Sequence, residues 1–191
     1  MSGMKKIKKV NDQYNSTQVN LSNQSDIVKY ATDNIDKNDI YKVGNEFGIE
    51  HESHITVLYG IHKSEKLSKL KDICKELDPI KIKIGKVSFF SNDNFDVLKY
   101  DIVSPDLKKV NKLFREKLEY TSTFPYYIPH LTLSYLKPGT AKKYLDLNKF
   151  TGYTEIFNNI MFTTGSKSKR IKIPLGTIAE NYTYRLYKEL L

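Results

Sequence analysis

The chain has 191 residues, 39% of them hydrophobic and 12% aromatic, and a formal net charge of +9. Such content excludes a wholly disordered chain and sets the length of one domain with a substantial core. The single cysteine, Cys74, excludes an intrachain disulfide and a four-cysteine zinc site, no run reaches the length of a membrane span, and the positive balance favours a polyanionic partner.

Residues 1–13 read as a flexible basic arm, without the apolar run a signal peptide would need. Residues 14–191 read as one domain with a C-terminal extension. STQVNL (16–21) alternates as a short strand, and SNQSDIVKYATDNI (22–35) has helical spacing with Ser22 or Ser25 as N-cap. The polar stretch 36–50 is a loop with room for one helical turn, and HITVLYG is a strand ending at Gly60. SEKLSKLKDICKELD (64–78) is an amphipathic helix with Cys74 on its buried stripe, stopped by Pro79. IKIKIGKVSFF (80–90) and DVLKYDIV (96–103) are strands around an SNDNF turn. Ser104 as cap and Pro105 at the first helical position open a helix over 104–120. HLTLSYL (130–136) is a strand, and a short helix follows around 139–146. Residues 155–164 and 170–175 read as a hairpin, and 176–191 as a terminal helix. About seven strands and a few helices give an α+β fold with mostly antiparallel sheets.

HITVLY (54–59) and HLTLSY (130–135) share one pattern: His, aliphatic, Thr, aliphatic, variable, Tyr. Strand alternation puts His54 with Thr56 on one face, and His130 with Thr132 on one face. Burying a polar pair in an apolar strand without purpose is costly. Two such strands side by side would surround one small cavity with two imidazoles and two hydroxyls. His51 lacks this context, and HESH is one residue short of the helical zinc motif, so a metal site is not expected. His62 lies past the strand end and reads as a surface loop residue.

The paired HITV and HLTL motifs resemble those of the two-histidine (2H) phosphoesterase superfamily. The resemblance implies a bilobal fold, with two antiparallel sheets facing a central cleft and helices outside. Tyr14, HITVLYGIH, VSFF…DVLKYDI and PHLTLSYLKPG together are similar to the phage anti-CBASS phosphodiesterases, over about Tyr14 to Leu175. Residues 36–50 and 176–191 have no counterpart in that resemblance. It implies a cytoplasmic enzyme acting on cyclic oligonucleotide defence signals in an infected bacterium, with no membrane or stable DNA partner. The alternatives are a 2H enzyme acting on RNA ends or 2′,3′-cyclic phosphates, and a non-catalytic nucleotide-binding protein.

Two imidazoles can supply the base and the acid that phosphodiester cleavage needs, and threonine hydroxyls can donate to the phosphate oxygens. This chemistry calls for His54, Thr56, His130 and Thr132 as catalytic residues, with no metal and no cofactor. Tyr14, Phe89, Phe90, Phe95, Tyr126 and Tyr127 are candidates for stacking on bases. Tyr14, on the resemblance, and Phe90 are the two assigned to the substrate. Lys81, Lys83, SKSKR (166–170) and Lys137 are candidates for the positive field.

Overall fold

A computed structural model describes residues 14–44, 46–122, 124–166 and 168–176. The basic arm and the expected terminal helix lie outside those residues, apart from the bend at Gly176.

Alternation makes strands where the sequence predicts them: β1 (Asn15–Asn20), β4 (His54–Ile61), β5 (Ile80–Ser91), β6 (Asp96–Val103) and β7 (His130–Leu136). Short strands β2 (Lys42–Val43), β3 (Glu46–Phe47) and β8 (Thr154–Phe157) join them, as do β9 (Asn159–Thr163) and β10 (Arg170–Pro174). The helices are α1 (Gln24–Asn34), α2 (Leu67–Lys75) and α3 (Pro105–Lys117), with single 3-10 turns at Lys37–Asp39 and Ala141–Tyr144. Ser104 caps α3 as expected, its hydroxyl accepting from the Leu107 N–H at 3.0 Å.

Three expectations are corrected. The residue before α1 is Asn23, without a side-chain cap. Ser22 is instead drawn to β8, where its N–H donates to the Glu155 carboxylate at 3.1 Å. Next, α2 starts later than the periodicity predicts. The Glu65 N–H closes a turn on the His62 carbonyl, and its carboxylate accepts from the Glu119 N–H at 2.9 Å. Finally, 155–164 is not one strand. It breaks at Asn158, so that β8 pairs with β5 while β9 pairs with β1 and β10. EIFNNIMFTT thus serves both sheets, divided at Asn158.

Two four-stranded antiparallel sheets result, ordered β10-β9-β1-β4 and β7-β6-β5-β8. The edge strands β4 and β7 pack against each other, so the two His-x-Thr strands form the seam between the sheets. Helix α3 packs on β4 and β5, and α1 on β7. The core is largely aliphatic: Ile55, Ile80, Ile82, Ile84, Leu131 and Leu133 are buried, and Tyr100, Phe114 and Cys74 are buried with them. Burial pushes the Cys74 thiol up to about 12, which keeps it an inert apolar group.

The free edge of β4 is covered. The buried Asn111 amide donates to the Val57 carbonyl at 2.6 Å, and the Tyr127 hydroxyl to the Thr56 carbonyl at 2.8 Å. Further along, Thr121 N–H donates to the Gly60 carbonyl at 2.9 Å. Gly60 has φ +90°, and a Cβ there would stand 1.8 Å from the Thr121 carbonyl oxygen. Only glycine fits both demands. Gly60→Ala is expected to lower stability by about 3 kcal/mol, from strain plus the displaced 119–121 segment. Urea denaturation checks this; a loss below about 0.5 kcal/mol would mean that the segment moves aside freely.

Candidate active site

Each histidine begins its strand and is held in the same way. His54 Nδ1 lies 2.7 Å from the Glu52 carbonyl oxygen, and His130 Nδ1 lies 2.7 Å from the Ile128 carbonyl oxygen. A carbonyl only accepts, so Nδ1 carries the proton in both rings and Nε2 is left for chemistry. Both rings are partly buried. The strands that carry them pack against each other.

The threonines share the histidine faces. Thr56 pairs with Gln18 of β1, as His54 does with Asn20. Thr132 pairs with Lys99 of β6, as His130 does with Asp101. Both strands then bulge. The register slips past Val57 in β4 and past Leu133 in β7. Each bulge puts two successive buried residues after the threonine, Val57–Leu58 and Leu133–Ser134. It also returns the following tyrosine, Tyr59 or Tyr135, to the histidine face. The sixth-position Tyr of both motifs thus shares the histidine face of its strand.

Lys99 is the residue that sequence reading misses. It is 2% exposed, deep in the second sheet. Its ammonium donates to Asp101 Oδ1 at 2.5 Å and Ser88 Oγ at 2.6 Å, and lies 4.2 Å from the Phe90 ring centroid. Ser88 also donates to Asp101 at 2.7 Å. Phe90 stands edge-on to the His130 ring, with centroids 5.1 Å apart. A buried lysine is tolerated only where it is paired and bonded, as here. The available signal is the cross-strand pairing of DVLKYDI with HLTLSYL, which a single strand's alternation does not contain.

The surroundings shift the titration of this cluster. Burial holds His130 below the usual imidazole range, and the Lys99 and His54 charges push the same way; the Ile128 carbonyl and Asp101 oppose them. Burial would raise the Asp101 carboxyl, but the bonds from Lys99 and Ser88 hold it low. In the first lobe a polar chain runs Gln18–Asn20–Glu52–Arg170, with contacts of 2.9, 3.2 and 2.6 Å. It anchors Glu52, whose carbonyl clamps His54.

The other candidates divide. Phe90 joins the cluster, while Phe89 packs on the core. Tyr14 does not join it. It lies against His62 at 5.8 Å and Tyr59 at 6.4 Å, at the far end of β4. At about 3.3 Å per residue, Tyr59 is roughly 17 Å and His62 roughly 26 Å along the strand from His54. The antiparallel register of β1 on β4 dictates this placement, since Asn20 faces His54 and Asn15 faces Ile61. His51 is exposed, and His62 bonds Thr121 Oγ1 at 2.8 Å. Of the SKSKR run, Arg170 reaches Glu52. Lys81, Lys83 and Lys137 are exposed. Among the described residues, no three His, Cys, Asp or Glu side chains gather as a metal site would require, and no helix is long and apolar enough to cross a membrane.

Two antiparallel sheets meeting along strands that each open on histidine define a 2H phosphoesterase-like fold. Solved structures share it at low identity. Usb1 of Kluyveromyces marxianus has a TM-score of 0.56 and 12% identity, covering 87% of this chain and 100% of that one. TT0787 of Thermus thermophilus has a TM-score of 0.56 and 10% identity, covering 84% and 97%. LigT of E. coli, complexed with phosphate, has a TM-score of 0.50 and 11% identity, covering 85% and 94%. No curated protein matches the sequence. The chain belongs to the 2′-5′ RNA ligase superfamily, whose family model matches residues 49–149, a stretch that holds both His-x-Thr motifs. Membership supports a phosphoesterase.

Proposed function

We propose that the protein is a metal-independent phosphodiesterase that cleaves 3′–5′ linkages of cyclic di- and trinucleotides. The carrying observation is the pair of identical clamps, Nδ1 to a carbonyl two residues back, which present Nε2 of His54 and of His130 on facing strands. One Nε2 takes the proton of the 2′-hydroxyl, whose oxygen attacks the neighbouring phosphorus. The other gives a proton to the departing 5′-oxygen, leaving a 2′,3′-cyclic phosphate and a 5′-hydroxyl. Burial favours the neutral form of His130, so His130 is assigned the base. His54 is then the acid. Thr56 and Thr132 donate to the non-bridging oxygens as charge develops. Both proton transfers are met by side chains, so the chemistry needs no metal.

The resemblance to phage anti-CBASS enzymes supports the cyclic substrate and a role in the cytoplasm of an infected bacterium. Superfamily membership favours a second reading, an enzyme for RNA ends or 2′,3′-cyclic phosphates. Incubation in chelator with a panel of cyclic oligonucleotides, and with linear RNA ending in a 2′,3′-cyclic phosphate, separates the two by the products seen in mass spectrometry. Opening of the rings supports the first reading. Turnover of the linear RNA alone supports the second, and turnover of neither, with binding intact, leaves a nucleotide-binding protein.

Lys99 supplies a finer test. Its charge lowers His130, so Lys99→Met leaves Asp101 to raise it. A base of higher pKa loses its neutral form at higher pH, so the acid limb of the kcat/KM profile should move upward. Lys99→Arg should stay near the parent profile. Stability should fall by about 2 kcal/mol in Lys99→Met, less than for a fully buried pair, because the Asp101 side chain is 48% exposed and rehydrates. An unmoved acid limb would take Lys99 out of the electrostatics of the base.

A further inference from the structure

The segment between α1 and β4 covers the free edge of β7. Tyr41 N–H donates to the Tyr135 carbonyl at 2.9 Å, and Tyr135 N–H to the Gly48 carbonyl at 2.8 Å. Ile40 and Ile49 bridge to Leu136 and Ser134. Edge covering alone would need no aromatic side chains. Yet this segment brings two rings to the histidine face of the second sheet. Phe47 lies 5.1 Å from Tyr135 and 5.1 Å from Phe95, while Tyr41 lies 5.3 Å from Phe47 and 5.3 Å from Phe95. Phe95 and Tyr135 are 5.4 Å apart.

All four rings are partly exposed rather than sealed into the core. Two of them are held by specific local devices. Asn92 Oδ1 accepts from the Asn94 and Phe95 N–H groups, fixing the turn that aims Phe95. Phe47 has φ +63°, the one non-glycine residue with positive φ among the described residues. An aromatic residue in that conformation is strained, and strain of this kind gathers where a side chain must be presented.

The platform adjoins the candidate site. Tyr135 pairs with Val97, and Val97 with Phe90, whose ring stands on His130. The bulge at Leu133 sets Tyr135 on the same face as Thr132, about 10 Å further along β7. That is within the reach of one nucleotide whose phosphate lies between the histidines.

We propose that Tyr41, Phe47, Phe95 and Tyr135 form a stacking platform for a nucleobase next to the scissile phosphate. The proposal rests on the phosphodiesterase reading above, and names where that substrate's base goes. Aromatic stacking accepts any base, so the platform contributes affinity for nucleotides over other phosphodiesters without selecting among bases. The exposed lysines nearby cannot make that distinction, since they act on the phosphate alone.

Calorimetric titration of the full chain with adenosine 5′-monophosphate and with ribose 5-phosphate isolates the base. The parent protein should bind the nucleotide roughly 5- to 150-fold more tightly than the abasic sugar. Phe47→Gly removes the ring and suits the positive φ, so the hairpin backbone is kept. This variant should lose most of the preference and keep its affinity for ribose 5-phosphate. Tyr135→Leu should do the same and Tyr135→Phe should restore it, with circular dichroism confirming the fold of each. Equal binding of the two ligands by the parent protein overturns the platform and leaves the phosphodiesterase reading intact. So does a preference that survives in folded Phe47→Gly. Binding of neither ligand by the parent protein overturns the site itself, and the platform with it.

Discussion

Replacing His54 or His130 by alanine should lower kcat/KM by roughly 10²–10⁴-fold, the usual worth of one positioned acid or base. The geometry makes the two losses comparable. Each ring is clamped by one short bond from Nδ1, so neither is free to cover for the other. The double variant should fall little below the worse single one, because a base without an acid drives only half of the proton traffic. His51→Ala is the internal control. It stands three residues before His54 but is exposed, and it should behave as the parent protein. The parent kcat/KM should be bell-shaped in pH, since one imidazole must be neutral and the other charged. Thermal melts guard against a trivial cause. His130 packs on Phe90, so its alanine variant loses some stability as well as rate. A variant at position 54 that keeps a tenth of parent activity would remove His54 from the chemistry.

Much of this site can be read from the chain because its signal is local. His-x-Thr spacing specifies a shared face, and two copies specify two strands. The alternation of Ile80, Ile82 and Ile84 likewise fixes β5 without help from elsewhere. What could not be read depends on pairing between distant segments. Lys99 looks like any lysine in a strand until β5 lays Ser88 and Phe90 against it. The bulges at Val57 and Leu133 exist only in the registers of β4 on β1 and β7 on β6. Resemblance assigns Tyr14 to the substrate; that it lies against Tyr59 and His62 follows only from the register of β1 on β4. The segment 40–50 reads as polar loop because its two strands are two residues long and pair only with each other, and it reaches β7 through single bridges at Ile40 and Ile49.

Thr56→Val and Thr132→Val should each cost on the order of 10–10³-fold in rate, less than the histidines, because each removes one hydrogen bond to developing charge rather than a proton transfer. Valine keeps the β-branched shape that suits both strands, so the fold is not at stake. The effect should fall on kcat with KM little changed. A hydroxyl aimed at a non-bridging oxygen gains strength as that oxygen gains charge, whereas loss of a hydroxyl that holds ground and transition states equally would raise KM alone. Serine at either position keeps the donor and should recover most of the rate, at some loss in rotamer order. Thr132 faces Lys99 across the ladder, and Thr56 faces Gln18. The cation behind Thr132 is sealed at 2% exposure, so it does not take over the contact when the hydroxyl is lost. Losses at positions 56 and 132 should therefore be of similar size despite the difference in charge behind them. A loss confined to position 56 would mean that Lys99 reaches the phosphate after all.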